Sequence, residues 1–193
     1  MTALHIAASN GYSELCSGLL KSKNSYLEKN PADTKGRTPL HIAAQKGYSE
    51  VCKILLENQV DINHKDDNGY TPLHFAAQEG HLNVCKILLE NQVDKDCKDN
   101  NGFTPLHWSA EKGHAEICLT LLKKEVEKNP ASNSGRTPLH IAADRGHSEV
   151  CNILLENSDT DRNVIDNFGQ NALHSAASKG HSQARIHILG LLN

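Results

Sequence analysis

At 193 residues, with a formal net charge of −3 and a pI near 6.4, the chain lacks the basic surplus that argues for nucleic acid or an anionic membrane surface as a partner. Hydrophobic residues make up 38% and aromatics only 4%, and no apolar run approaches the roughly 20 residues of a bilayer-crossing helix, so many small aliphatic contacts are expected and no membrane insertion. The start MTALHIAASNG lacks a signal-peptide pattern, no N-x-Ser/Thr sequon occurs, and six cysteines without a secretory signal read as reduced thiols, which places the chain in the cytoplasm or nucleus.

One motif orders the rest. TPLH begins at Thr38, Thr71, Thr104 and Thr137, with TALH at Thr2 and NALH at Asn171, giving spacings of 36, 33, 33, 33 and 34 residues. A period this regular implies an array of similar units. The first repeat, about residues 1–32, starts inside the motif, and three extra residues around Lys23 to Tyr26 predict an irregular, mobile loop. The second (33–65) opens on an Asp-x-x-Gly turn signal at Asp33. The third (66–98) shows the unit most plainly: the Asp66 to Gly69 turn, Thr71 as N-cap, Pro72 at the first helical position, Ala76 and Ala77 allowing close approach, and Gly80 as a left-handed stop. A second helix follows, with Val84, Cys85, Ile87, Leu88 and Leu89 as its apolar face.

The fourth repeat (99–131) reads HWSA where others read HIAA, HFAA or HSAA, and the fifth (132–165) carries Ser132 in place of the turn Asp. One extra residue falls near Asp159 to Arg162, and the sixth repeat (166–193) ends in RIHILGLLN. EKNPA at Glu28 and again at Glu127, 99 residues apart, indicates duplication of a three-repeat block. Helices this short are not stable alone in water, so each unit must bury its face on its neighbours.

The pattern resembles the ankyrin repeat, whose signature includes T-P-L-H-x-A, and the resemblance covers the whole chain. It implies an all-α solenoid of stacked helix-loop-helix units with projecting β-turn fingers, a single domain over 1–193, and partner binding on the concave face beside the fingers. The apolar terminal repeats suggest either end-to-end self-association or a natural protein that continues further. The resemblance also raises asparaginyl hydroxylation, for which Asn63 in LLENQVDIN is the matching position.

Twelve histidines and six cysteines invite a metal reading, and the repeat argues against it. Cys16, Cys52, Cys85, Cys118 and Cys151 fall at one place in successive second helices, with Arg185 in the sixth. At roughly 8–10 Å between stacked helices, such a column suits neither a disulfide nor zinc. His5, His41, His74, His107, His140 and His174 each follow the cap by three residues, so their rings are expected to bond back to it. His81, His114, His147 and His181 share a slot with Tyr12 and Tyr48, which no metal ligand would. Cys97 lies in an inter-repeat loop and is expected to be exposed. No nucleophile–base, P-loop, H-E-x-x-H or G-x-G-x-x-G pattern occurs, so neither catalysis nor a cofactor is expected.

Function is then expected at positions the scaffold leaves free. Four of the eight aromatic residues, Tyr70, Phe75, Phe103 and Trp108, fall at such positions in two adjacent repeats, with Glu79 and Lys112 nearby and Arg37 and Arg136 on turns to either side. Aromatics and arginine dominate interface hot spots. These eight residues form the expected protein-binding surface, the alternative being that Phe75 and Trp108 only pack on neighbouring helices. Two functional readings follow: a non-catalytic interaction scaffold, or an ankyrin tether or regulatory segment of a larger channel, membrane-skeleton adaptor or regulated enzyme.

Overall fold

The computed structural model describes residues 1–22, 30–157 and 159–190. The loop around Lys23 to Tyr26 and the end of RIHILGLLN lie outside the described residues. Twelve α-helices occur among those described, in two compact units, Met1–Asn100 and Asn101–Asn193.

The first unit holds α1 (Ala3–Ser9), α2 (Ser13–Lys21), α3 (Pro39–Lys46), α4 (Ser49–Glu57), α5 (Pro72–Gln78) and α6 (Leu82–Leu89). Odd-numbered helices pack in one layer, α1 on α3 and α3 on α5, and even-numbered ones in a second, α2 on α4 and α4 on α6. The second unit repeats this with α7 (Pro105–Lys112), α8 (Ala115–Leu122), α9 (Pro138–Arg145), α10 (Ser148–Glu156), α11 (Ala172–Ser178) and α12 (Ser182–Leu189).

Small residues set the layer spacing. Ala7, Ala8, Ala43, Ala44, Ala76 and Ala77 in the first unit, and Ala142 and Ala143 in the second, are fully buried. Leu40, Leu73, Leu106 and Leu139 fill the space beside them, each worth about 1.5–3 kcal/mol on burial. The cysteine column is buried as well, and burial pushes the thiols of Cys52, Cys85, Cys118 and Cys151 up to about 12. The HWSA departure has a local reason: the Cys118 thiol donates to the Ser109 hydroxyl at 3.1 Å, and that hydroxyl donates to the Leu106 carbonyl at 3.0 Å. Arg185, at the matching position of α12, is exposed.

Cys97 departs from expectation. It is 7% exposed, and burial raises its thiol pKa against the opposing charge of Lys65, so it is packed and not a surface nucleophile. A loop label misleads here because this loop folds under its neighbour: Lys65 reaches across to donate to the Lys98 carbonyl at 3.0 Å.

Each first helix starts from the same cap. The Thr38 N–H donates to His41 Nδ1 at 3.1 Å, and the Thr38 hydroxyl lies 2.9 Å from the same nitrogen. Thr2–His5, Thr71–His74, Thr104–His107 and Thr137–His140 repeat the arrangement. α3, α7 and α9 end on Gly47, Gly113 and Gly146 in the left-handed conformation, at φ of 77°, 76° and 75°.

Candidate interaction surface

The fingers are five-residue turns organised by an acidic first residue. In Asp66–Tyr70, the Asp66 N–H donates to the Tyr70 carbonyl at 2.9 Å, while Asp66 Oδ1 accepts from the N–H groups of Asn68 (2.9 Å) and Tyr70 (2.8 Å). Asp33 and Asp166 do the same in their fingers. Ser132 keeps the turn with less: its hydroxyl accepts from the Arg136 N–H at 3.2 Å and lies 3.0 Å from the Ser134 hydroxyl.

Neighbouring fingers are joined edge to edge. The Asp67 N–H donates to the Lys35 carbonyl (3.1 Å) and the Asn100 N–H to the Asn68 carbonyl (3.0 Å). In the second unit, Asn133 donates to Asn101 and Asn167 to Ser134, both at 3.0 Å. Histidine rings tie fingers to the preceding helix within each unit. His5 Nε2 reaches the Arg37 carbonyl at 2.9 Å and His41 Nε2 the Tyr70 carbonyl at 3.0 Å; in the second unit His107 meets Arg136 at 3.0 Å and His140 meets Gln170 at 2.9 Å. A carbonyl only accepts, so the ring proton sits on Nε2 and Nδ1 is left to take the cap N–H. In His41 and His140 that doubly committed ring is neutral. Desolvation lowers the His41 pKa to about 4 and moves His140 in the same direction.

The other histidine slot is structural too. His81 donates to the Gln45 carbonyl (3.0 Å), His147 to that of Glu111 (3.2 Å) and His181 to that of Asp144 (3.0 Å). Each ring lies beneath the glycine ending the previous first helix. A Cβ on Gly47 would sit 2.7 Å from His81 Nδ1.

A family model described as "Ankyrin repeats (3 copies)" matches residues 1–66, 59–132 and 125–189. The chain belongs to the ankyrin-repeat family. No curated protein matches it. Ankyrin repeats are generally protein-interaction modules, and among the described residues no helix is long and apolar enough to cross a membrane. Among the same residues no group of three or more His, Cys, Asp or Glu is placed to hold a metal ion.

In this ankyrin chain the sequence-predicted residues sort into two kinds. In the first unit, Arg37 is committed within its own repeat: Nε and Nη2 donate to Asp33 Oδ2 at 3.0 and 2.8 Å, and Nη1 reaches Gln45 Oε1 at 3.4 Å. Burial opposes ionisation of Asp33, but the backbone N–H groups of Arg37 and Lys35 and the guanidinium outweigh it and hold the carboxyl at about 2. Tyr70 and Phe75 are half-buried with centroids 5.1 Å apart, and Phe75 meets the His41 ring edge-on at 5.9 Å. Burial, with the charges of Asp99 and Asp66, pushes the Tyr70 phenol upward. Glu79 is exposed at the end of α5.

In the second unit, Phe103 stacks on His107 at 4.9 Å and meets Trp108 at 5.3 Å, both aromatics half-buried. Lys112 is exposed in the last turn of α7. Arg136 donates to the His140 carbonyl at 3.3 Å and lies 3.5 Å from Asp144 Oδ2, so it too ties finger to helix. The residues after the motif histidine in α3 and α9, Ile42 and Ile141, are buried at 5% and 2% exposure, which removes that position from the free surface there.

Sequence reasoning missed Phe168 and Ile165, exposed by 78% and 63% on the finger that precedes α11. The signal was an apolar residue at a turn tip where other fingers carry Lys35, Asn68, Asn101 or Ser134. At the other end, Ile6 and Leu15 are exposed by 51% and 49%, whereas Ile42 and Val51 at the matching positions are covered by α1 and α2. Asn63 holds a loop together: its Oδ1 accepts the Asp94 N–H at 2.8 Å, as Asn30 does for Asp61 and Asn129 for Asp161.

Proposed function

We propose that this ankyrin-repeat chain is a non-catalytic interaction module that holds a protein partner on its finger and first-helix side. One observation carries the reading. In each unit an aromatic residue on a finger packs against an aromatic residue on the following helix, Tyr70 with Phe75 and Phe103 with Trp108, leaving part of every ring in water. Rings already fixed by packing lose little freedom on binding and present large amphipathic area, which favours their use as anchors. Arg37 and Arg136, held by carboxylates, shape the ground beside these anchors and present fixed charge.

The test compares affinity purification with wild-type bait, a Phe103→Ala/Trp108→Ala bait, a Tyr70→Ala/Phe75→Ala bait and a Lys53→Ala/Lys86→Ala control. The expected result is at least tenfold loss of partner on one or both aromatic variants and none on the control. Equal recovery on all four baits removes the reading.

A further inference from the structure

The unit Asn101–Asn193 carries a row of cations beside its aromatic pair. Lys112 on α7, Arg145 on α9 and Lys179 after α11 each immediately precede the glycine between helices, and all three are exposed. α9 packs on both α7 and α11, so these side chains leave neighbouring helices at one level, at the roughly 10 Å spacing of packed helices.

A basic residue in a last turn is favourable for any helix, because it faces the unpaired carbonyls. That preference does not require the row, since the matching position is Lys46 in α3 but Asn10 after α1 and Glu79 after α5. Acidic neighbours neutralise only part of it. Glu111 takes the Arg145 guanidinium and Asp144 that of Arg136, whereas among the described residues neither Lys112 nor Lys179 has an ion pair. The second-helix layer of this unit shows the opposite sign at exposed Glu116, Glu149 and Glu156. Trp108 and Lys112 are four residues apart on α7 and so share a face, one turn from each other.

We propose that this side of the second unit binds an acidic, extended segment of the partner protein, with an apolar residue on Phe103 and Trp108 and carboxylates on Lys112 and Lys179, the Arg145 guanidinium between them being shared with Glu111. A polyproline-type strand turns every three residues and rises about 3.1 Å per residue, so every third side chain points the same way about 9 Å on. That repeat matches the helix spacing. The inference rests on the reading of the aromatic pair as an anchor and adds the partner's charge and conformation.

The test uses the full chain and a fluorescein-labelled synthetic peptide LPPEPPEPPE, with its LPPQPPQPPQ counterpart, in fluorescence anisotropy. Expected is binding of the acidic peptide at least tenfold tighter than the neutral one, weakened several-fold between 50 and 200 mM NaCl. Lys112→Glu/Lys179→Glu should weaken it at least tenfold with an unchanged circular dichroism melt, and Lys112→Gln/Lys179→Gln by less. Equal binding of both peptides, no binding to wild type, or indifference to charge reversal overturns the proposal. So does equal displacement by an oligo-dT of the same charge. Trp108→Ala reports separately on the anchor: if it weakens both peptides alike while charge reversal does nothing, the anchor stands and the charge row falls.

Discussion

His41 Nε2 lies 3.0 Å from the carbonyl oxygen of Tyr70, 29 residues further along the chain. The same ring accepts the Thr38 N–H through Nδ1. One side chain therefore caps its own helix and fastens the next finger, and it does so only when uncharged, because a protonated Nδ1 would face the cap N–H donor.

A pH dependence follows. The His41 pKa falls from 6.5 to about 4 on folding, and that of His140 falls too, so the unfolded chain binds more protons between these values. Their stabilisation is complete above about pH 6.5 and is lost as pH drops through the folded value. Asp33, at about 2, adds a further loss only below its unfolded value of 3.8. The unfolding free energy from urea titrations should decline from pH 7 to pH 4.5, by on the order of 3 kcal/mol for the wild type. His41→Gln should flatten that decline; an equally steep slope in the variant would assign the effect elsewhere.

Much of this was readable in the sequence. The TPLH motif gave the cap, Pro72 the first helical position and Gly47 the stop, because each acts within a few residues of itself. The cysteine column followed from the period alone. The cross-repeat half of each histidine bond was not legible, since a periodic sequence says which residues are equivalent but not which neighbour a ring reaches. Cys97 was misread for a related reason: its burial comes from a loop 33 residues away in register, through Lys65 and Lys98. Arg37 and Arg136 looked free by composition, and only their geometry showed the carboxylates that hold them. Tyr70 and Phe103 stand on fingers and Phe75 and Trp108 on the helices that follow, paired and half-buried, and their use against a partner is what we propose.

Glycine at the inter-helix position serves two ends that substitution can separate. Gly47→Ala should cost about 2–3 kcal/mol, combining left-handed strain at φ 77° with displacement of His81 from the Gln45 carbonyl. Gly180 has φ 75° but no described neighbour within 4 Å of an added Cβ, so Gly180→Ala should cost only about 1 kcal/mol. Chemical denaturation of both variants checks the difference; equal costs would mean that ring clearance contributes nothing.

Ser132 occupies a site as buried as Asp66 and Asp166 but offers one weak acceptor where they offer an oxygen bonded to two N–H groups. Ser132→Asp should stabilise the chain by about 1 kcal/mol, seen as a higher thermal midpoint at pH 7. The gain should vanish near pH 2.

Gln59, Gln92 and Glu125 adopt φ of 60°, 56° and 58° at one repeated position after α4, α6 and α8. Side chains there carry strain that glycine would relieve, so Gln59→Gly and Gln92→Gly should each stabilise by about 0.5–1 kcal/mol. A lowered denaturation midpoint for either variant would show that the glutamine side chain makes a contact outweighing that strain.

The finger ladder has a direction. Every finger that joins another within its unit offers a carbonyl on one flank and an N–H on the other, as Asn68 and Asn100 do, so a repeat inserted the other way round would set donor against donor. Among the described residues each cross-repeat bond also spans only about one period, with His181 to Asp144 the longest at 37 residues. Closing such short loops is entropically cheap and fast. Order can therefore spread repeat by repeat within a unit, so that a block of repeats can be copied without rewriting any bond in the blocks that remain.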